Sequence, residues 1–246
     1  MNRNGEISSG NVTRRIVFVC PDCGCRMSRE ITLPADFQIF HDGDHAICDP
    51  CGKSRKDAQA HRLKVQADQQ RINATGVPPQ FRAYEPPRGN AGMLAWVNSN
   101  AEKNILLMSE VNTGKTRAMC KALLDASKSG LRCRYVEFVD LASQYSGEKK
   151  ESTTAAQRLL KRILGIYDIL FIDDIDKQKL TDTTGELLYK LLNAVYSGNA
   201  KARVWLTMNC TGGELQRKFE VADQGAAVLS RIDRMKEDDR FAIRRF

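Results

Sequence analysis

The chain has 246 residues, enough for one large domain and one small one. A hydrophobic fraction of 42% is that of an ordinary globular protein, and no apolar run approaches the roughly 20 residues of a membrane span, so no membrane partner is expected. The formal net charge of +8 favours an acidic partner such as nucleic acid.

Met1–Asn11 is polar and carries no secretory signal pattern, and residues 1–13 read as a disordered N-terminus. Of the 8 cysteines, Cys20, Cys23, Cys25, Cys48 and Cys51 cluster, whereas Cys120, Cys133 and Cys210 are scattered through apolar elements. That distribution reads as a metal site plus core thiols in a reducing cytoplasm, not as a disulfide framework. Arg14–Val19 is a short strand leading into Cys20-Pro-Asp-Cys23-Gly, and Cys48-Asp-Pro-Cys51-Gly is a second knuckle. Two CxxC pairs at this separation predict one tetrahedral zinc held by Cys20, Cys23, Cys48 and Cys51, with Gly24 and Gly52 in the tight turns after the second thiolates. Cys25, His41 and His45 are alternative ligands. Four protein ligands leave no open position, so the zinc is structural. The zinc ribbon is assigned to residues 14–54 and a helical linker to 55–75. Lys53–Ile72 is helical in composition and carries Arg55, Lys56, Arg62, Lys64 and Arg71. It reads either as a solvated linker or as a contact for DNA phosphates. Gly76, Pro78, Pro79, Pro86 and Pro87 mark the boundary to a domain over 76–246.

Beyond it, strands and helices alternate. Gly92–Asn98 is a short helix, and Ile105-Leu106-Leu107-Met108 has the length of a buried strand. After a turn, Gly114-Lys115-Thr116 opens a helix over Lys115–Lys128. Strand, loop, Gly-Lys-Thr and helix form the context of a phosphate-binding loop. The backbone N–H groups of Ser109, Glu110, Val111, Asn112, Thr113 and Gly114 would cradle phosphate oxygens, Lys115 would reach the β- and γ-phosphates of ATP, and Thr116 would help hold Mg²⁺. Ser109 and Asn112 stand where the pattern asks for Gly. Asn is among the few residues that tolerate positive φ, which predicts a left-handed turn at Asn112. An ordinary strand–turn–helix with a chance Gly-Lys-Thr is the alternative.

Cys133–Phe138 is a further strand, followed by helices at Leu141–Tyr145 and Thr153–Leu164. Lys149, Lys150, Arg158, Lys161 and Arg162 make this insert basic, either as a solvated face or as a track for a nucleic-acid backbone. Ile169-Leu170-Phe171-Ile172-Asp173-Asp174 is a buried strand ending in paired acids. Asp173 is assigned to the Mg²⁺ sphere and Asp174 to the attacking water. Thr183–Tyr196 is an amphipathic helix. Val204–Asn209 is a strand whose terminal Asn209 could position water. Gly212–Phe219 and Gly225–Met235 are helices, the latter carrying Arg231 and Arg234, and Phe241–Phe246 is a final strand.

From about Asn73 to Phe246 the chain resembles the AAA+ ATPases of the DnaC/DnaI helicase-loader and IstB group. The similarity lies in Val77-Pro78-Pro79-Gln80-Phe81-Arg82, in Tyr167–Ile175, in Thr207-Met208-Asn209 as the sensor 1 stretch, and in Ala226–Ile232 as the box carrying an arginine finger. The cysteine region resembles the N-terminal module of DnaI-type loaders, and phage-encoded loaders share the layout. The resemblance implies an α/β core with a parallel five-stranded sheet of order 5-1-4-3-2, the phosphate loop and Asp173 at adjacent strand ends, and no C-terminal lid. It implies an ATP-dependent loader that binds single-stranded DNA and docks a hexameric DnaB-type helicase, in a bacterial cytoplasm or a phage-infected host. Arg231, with Arg234 in reserve, would act on a neighbour's γ-phosphate in a head-to-tail assembly. Asp174 replaces a more usual Glu, which implies slow hydrolysis. A transposition helper of the IstB type, acting on duplex DNA with a transposase, and a non-hydrolysing adaptor are the other readings.

Overall fold

The structure is a computed structural model that describes residues 11–34, 49–82, 91–177, 181–209, 214, 217–218 and 225–246. Cys48, His41, His45, Cys210 and the N-terminal ten residues lie outside the described residues, as does most of the helix expected over Gly212–Phe219. The chain divides into two compact units, Met1–Gln66 and Ala67–Phe246.

In the first unit, β1 (Asn11–Val19) pairs antiparallel with β2 (Arg26–Pro34), in a register running from Asn11 opposite Pro34 to Val19 opposite Arg26. β1 thus begins ahead of the expected Arg14. The connecting turn is closed by the Cys20 N–H on the Cys25 carbonyl (2.9 Å) and the Gly24 N–H on the Cys20 carbonyl (2.8 Å), with Gly24 at φ +70°. Helix α1 (Asp49–Ala74) starts four residues before the expected Lys53. Asp49 and Pro50 explain the early start: an acid suits the helix N-terminus, and proline lacks only an N–H that the first turn leaves unbonded. Gly52 consequently lies inside α1, not in a turn, which corrects the second knuckle as it was read from the sequence. None of the residues of α1 is buried, and only towards its C-terminal end does Ile72 pack against a core.

The second unit is a three-layer α/β core. Its elements are α2 (Ala91–Ser99), β3 (Asn104–Met108), α3 (Lys115–Lys128), β4 (Cys133–Glu137), α4 (Phe138–Glu151), α5 (Thr153–Ile166), β5 (Ile169–Asp173), α6 (Asp182–Tyr196), β6 (Arg203–Met208), α7 (Gly225–Lys236) and β7 (Phe241–Arg245). The sheet order is β4-β5-β6-β3-β7, all neighbours parallel. Counted along this core, that is the expected 5-1-4-3-2. The loop strand β3 and the acid strand β5 are not neighbours, however. β6 lies between them, and the expectation of adjacent strand ends is corrected accordingly.

Strand alternation builds the layers. Ile105, Leu107, Ile169, Phe171 and Trp205 join α2 and α3 in one core, whereas Leu106, Leu170, Ile172, Val204, Leu206 and Met208 join α4–α7 in the other. The inner strands β3, β5 and β6 are apolar on both faces because each face carries helices, whereas the edge strands β4 and β7 expose arginines. The helix starts are encoded locally. The Ser152 hydroxyl accepts the Ala155 N–H at 3.0 Å ahead of α5, and Thr181 and Thr184 form a reciprocal capping box ahead of α6. At the outer edge of the sheet the Tyr135 N–H donates to the Thr75 carbonyl at 2.7 Å. Gly76 follows at φ +74°, where a Cβ would stand 3.3 Å from the Tyr135 carbonyl oxygen. No helix among the described residues is long and apolar enough to cross a membrane.

Helices α4 and α6 are tied by Glu186, which accepts from Lys149, Lys190 and the Tyr145 hydroxyl. The bonds from Lys149 and then Lys190 hold its carboxyl down to about 2. A depressed carboxyl contributes stability above its ordinary range and loses it as pH falls toward the folded-state value. Glu186→Gln is therefore expected to flatten the loss of stability below about pH 4.5 and to cost about 1 kcal/mol near neutrality, the group being partly exposed. Urea titrations across that pH range measure both effects. Parallel pH profiles for variant and wild type would overturn the assignment.

Candidate functional site

The loop after β3 is braced from within. The Ser109 N–H donates to the Met208 carbonyl at 3.3 Å, its buried hydroxyl meets that of Thr113, and the Thr113 hydroxyl lies 3.0 Å from the Glu110 carbonyl. The Ser109 side chain thus fastens the loop where a glycine was expected. Asn112 adopts φ +65° and Gly114 φ +89°, so the left-handed turn expected at Asn112 is present. α3 begins directly behind Gly114 with no side-chain cap, so its first-turn N–H groups have no intrahelical acceptor and can serve an anion. Lys115 is buried, and its ammonium donates to the Glu110 carbonyl (3.2 Å) and to Asn209 Oδ1. Burial pulls its pKa down, against the opposing charges of Asp174, Asp173 and Asp176.

Asp173 ends β5 with a buried carboxylate. Its Oδ1 accepts from the hydroxyls of Thr116 (3.0 Å) and Thr207, and its Oδ2 accepts from Tyr135 (3.2 Å). Burial raises its pKa above the usual carboxylate range, the Thr207 bond lowers it, and the Asp174 charge adds to the rise. Among the described residues these direct partners are all hydroxyls, and none is a lysine or arginine. A buried carboxylate beside a threonine hydroxyl, with no cation on it, is a donor set that fits Mg²⁺.

Asp174 sits one residue on, at φ +53°, its N–H on the Thr207 hydroxyl at 2.9 Å. The Asn209 amide donates to Asp174 Oδ1 at 2.9 Å, so one side chain bridges Asp174 and Lys115. Phe81, Val111, Asn112, Gly114, Lys115, Thr116, Arg117, Asp174 and Asn209 line one open cleft of about 460 Å³. Arg231 is placed elsewhere. Its guanidinium donates to Asn193 Oδ1 at 2.7 Å and lies 4.7 Å from the Tyr196 ring centre, holding α7 on α6, while Arg234 is exposed.

Sequence reasoning missed Tyr135 and Asp176 and gave Thr207 no role. The signal for Thr207 was a hydroxyl in an otherwise apolar strand, since a buried polar group needs a partner. Asp176, also buried, accepts the Asn209 N–H at 2.8 Å.

In the N-terminal unit the sulfurs of Cys20, Cys23 and Cys25 lie within 4.8 Å of one another, and so do the ligand atoms of Cys20, Asp22 and Cys51. Arg55 pairs with Asp22. Among the described residues these groupings could hold a metal ion, and Cys25, an alternative ligand in the sequence reading, is grouped with Cys20 and Cys23.

The strand order, the loop between β3 and α3 and the acids at the end of β5 define an AAA+ P-loop NTPase fold. Residues 89–237 match the family of IstB-like ATP binding proteins, and the chain belongs to that family. No curated protein matches it. Among solved structures it is similar to the DnaC helicase loader, at 18% identity and TM-score 0.48, over 71% of this chain and 98% of that one. DnaI aligns at 12% identity and TM-score 0.48, over 72% of this chain and 93% of its own. AMPPCP-bound DnaA from Aquifex aeolicus aligns at 20% identity and TM-score 0.44, over 63% of this chain and 49% of its own, so the chain spans about half of that protein.

Thr207→Val keeps the shape but removes a donor to a buried carboxylate and the acceptor of the Asp174 N–H. A loss of about 1–3 kcal/mol is expected in urea unfolding. A loss below about 0.5 kcal/mol would mean that Asp173 finds its partners without β6.

Proposed function

We propose that the chain is a slow ATPase that loads a hexameric replicative helicase. The observation that supports nucleotide chemistry is the convergence of Lys115, Thr116, Asp174 and Asn209 on one cleft, with Asp173 bonded to Thr116 behind it. In this reading the backbone from Ser109 to Gly114 wraps the phosphates, and Lys115 exchanges its bonds to Asn209 and Glu110 for the β- and γ-phosphates. Thr116 and Asp173 hold Mg²⁺, which supplies charge neutralisation at the phosphates. Asp174 orients or deprotonates the attacking water, and Asn209 steadies both Asp174 and the terminal phosphate. Phe81 and Val111 offer apolar surface beside the loop for the base.

Arg231 serves a neighbouring protomer, in a head-to-tail assembly formed with ATP. To do so it must leave Asn193 and Tyr196, which makes finger engagement compete with a bond inside its own chain. Residues 14–54 form a zinc ribbon on Cys20, Cys23, Cys48 and Cys51, with Cys25, His41 and His45 as alternative ligands. Residues 55–75 form the linker and 76–246 the ATPase. The thiol cluster ahead of the core favours a loader, whose zinc module docks the helicase while the core contacts single-stranded DNA. The match to IstB-like ATP binding proteins is equally compatible with a second reading, a transposition helper acting on duplex DNA.

Lys115→Ala is expected to weaken binding of a fluorescent ATP analogue about tenfold or more, by loss of a charge-assisted bond. Asp174→Asn is expected to retain binding and lose turnover. Unchanged binding in the first variant or unchanged turnover in the second would refute the assignments. For the partner, the measurement is co-elution with the replicative helicase, with and without ATP·Mg²⁺. A complex lost in Cys20→Ser/Cys51→Ser supports the loader, whereas ATP-dependent assembly on duplex DNA without such a complex favours the helper.

A further inference from the structure

β7 is the outer strand of the sheet, paired with β3 on one side and, among the described residues, with no strand on the other. Arg244, Arg245 and Phe246 at its end are all exposed. Arg240, just ahead of the strand, is held by Asp238, whereas among the described residues Arg244 and Arg245 have no carboxylate partner. Instead the Arg244 guanidinium lies over the Phe246 ring, 4.5 Å from its centre, and 5.9 Å from the ring centre of Trp96 on α2. The two rings meet edge to face at 5.9 Å. Strand alternation puts Arg244 on the face of α2, where Ala242 joins Met93 and Val97, and Arg245 on the face of Phe241 and Ile243. An open groove of about 420 Å³ lies along the strand, with Trp96, Asn100, Lys236, Arg244 and Arg245 in its wall and no acidic residue. It shares no lining residue with the nucleotide cleft.

Charges on an edge strand ordinarily guard it against pairing with another strand. Guarding does not account for the rings, which add the apolar surface that protection would remove: Phe246 is 39% exposed and Trp96 half-buried. Flat rings beside cations without carboxylates suit a ligand that is at once polyanionic and aromatic. A duplex keeps its bases stacked inside, whereas a single strand offers phosphates to arginine and an unstacked base to a ring. The ring contact also holds the Arg244 guanidinium in place, so less freedom is lost when its N–H groups donate to a phosphate. We propose that the groove along β7 binds single-stranded DNA, with a base stacked at Trp96 and phosphates on Arg244 and Arg245. The inference rests on the reading that the core contacts single-stranded DNA, and it gives that contact a place on the sheet edge.

The test titrates the full chain with an oligothymidylate of about 15 nucleotides, followed by anisotropy of a labelled strand and by tryptophan emission with an unlabelled one. Arg244→Gln/Arg245→Gln is expected to weaken binding about tenfold and to reduce the slope of log K against log salt by about 1.4, the share of two phosphates on a single strand. Of the two tryptophans Trp205 is fully buried, so quenching on binding reports Trp96. Quenching is expected in the wild type and is lost in Trp96→Phe, which keeps a ring and binds within about threefold of wild type. Unchanged affinity and slope in the arginine variant would overturn the proposal, as would saturation without quenching or tighter binding of a duplex of equal length. Equally tight binding of polyglutamate, lost in the same arginine variant, would also overturn it and assign the groove to an acidic peptide. If the oligonucleotide does not bind the wild-type chain at all, the single-stranded DNA reading above falls together with this one.

Discussion

The carboxylate of Asp173 is the constraint around which the core is arranged. A buried carboxylate is costly unless its oxygens are bonded, and here the partners come from three other elements: Thr116 on α3, Thr207 on β6 and Tyr135 on β4. Together with β5 itself, four elements are held in register by one side chain. Tyr135 also packs edge-on against Phe171, the rings 5.3 Å apart, so the polar bond and the apolar contact fix the same ring. Misplacing any one element would leave a polar group unsatisfied inside the sheet.

The sheet turns this local demand into a site. All the strands of the core are parallel, so their C-terminal ends share one rim, and ligands of open α/β sheets bind along such a rim. β3 contributes the loop, β5 the acids and β6 the amide of Asn209. Because β6 stands between β3 and β5, its Thr207 and Asn209 lie between loop and acids and can bond to both sides. The middle strand is the mortar of the site.

Much of this was legible in the sequence because it is written in local signals. The apolar runs at Ile105–Met108 and Ile169–Ile172, the Gly-Lys-Thr at the start of α3 and the pair Asp173–Asp174 each announce their own conformation. Asn112 was readable as a left-handed residue from its side-chain chemistry alone. What was not legible depends on contacts across the fold. Nothing local says that the hydroxyl of Tyr135 reaches the next strand, or that Asp176 turns inward to the end of β6. Gly52 was misread for the opposite reason: a knuckle pattern suggested a turn, while the adjacent Asp49 and Pro50 were already the start of a helix. Arg231, proposed as a finger for a neighbouring chain, is bonded to Asn193 within its own chain, a contact that no local pattern announces.

The backbone at Asp174 carries a consequence for how such a site can change. At φ +53° it occupies the left-handed region, where aspartate is among the more readily accepted residues and longer side chains are disfavoured. Its N–H is committed to Thr207, so the peptide is not at liberty to relax. The short acid and the unusual handedness therefore belong together. Lengthening the side chain to glutamate would extend the carboxylate further into the cleft while straining the peptide that aims it. If Asp174 acts on water as proposed, reach and backbone fit are coupled at this one position, and a longer acid there would first require the turn to be rebuilt.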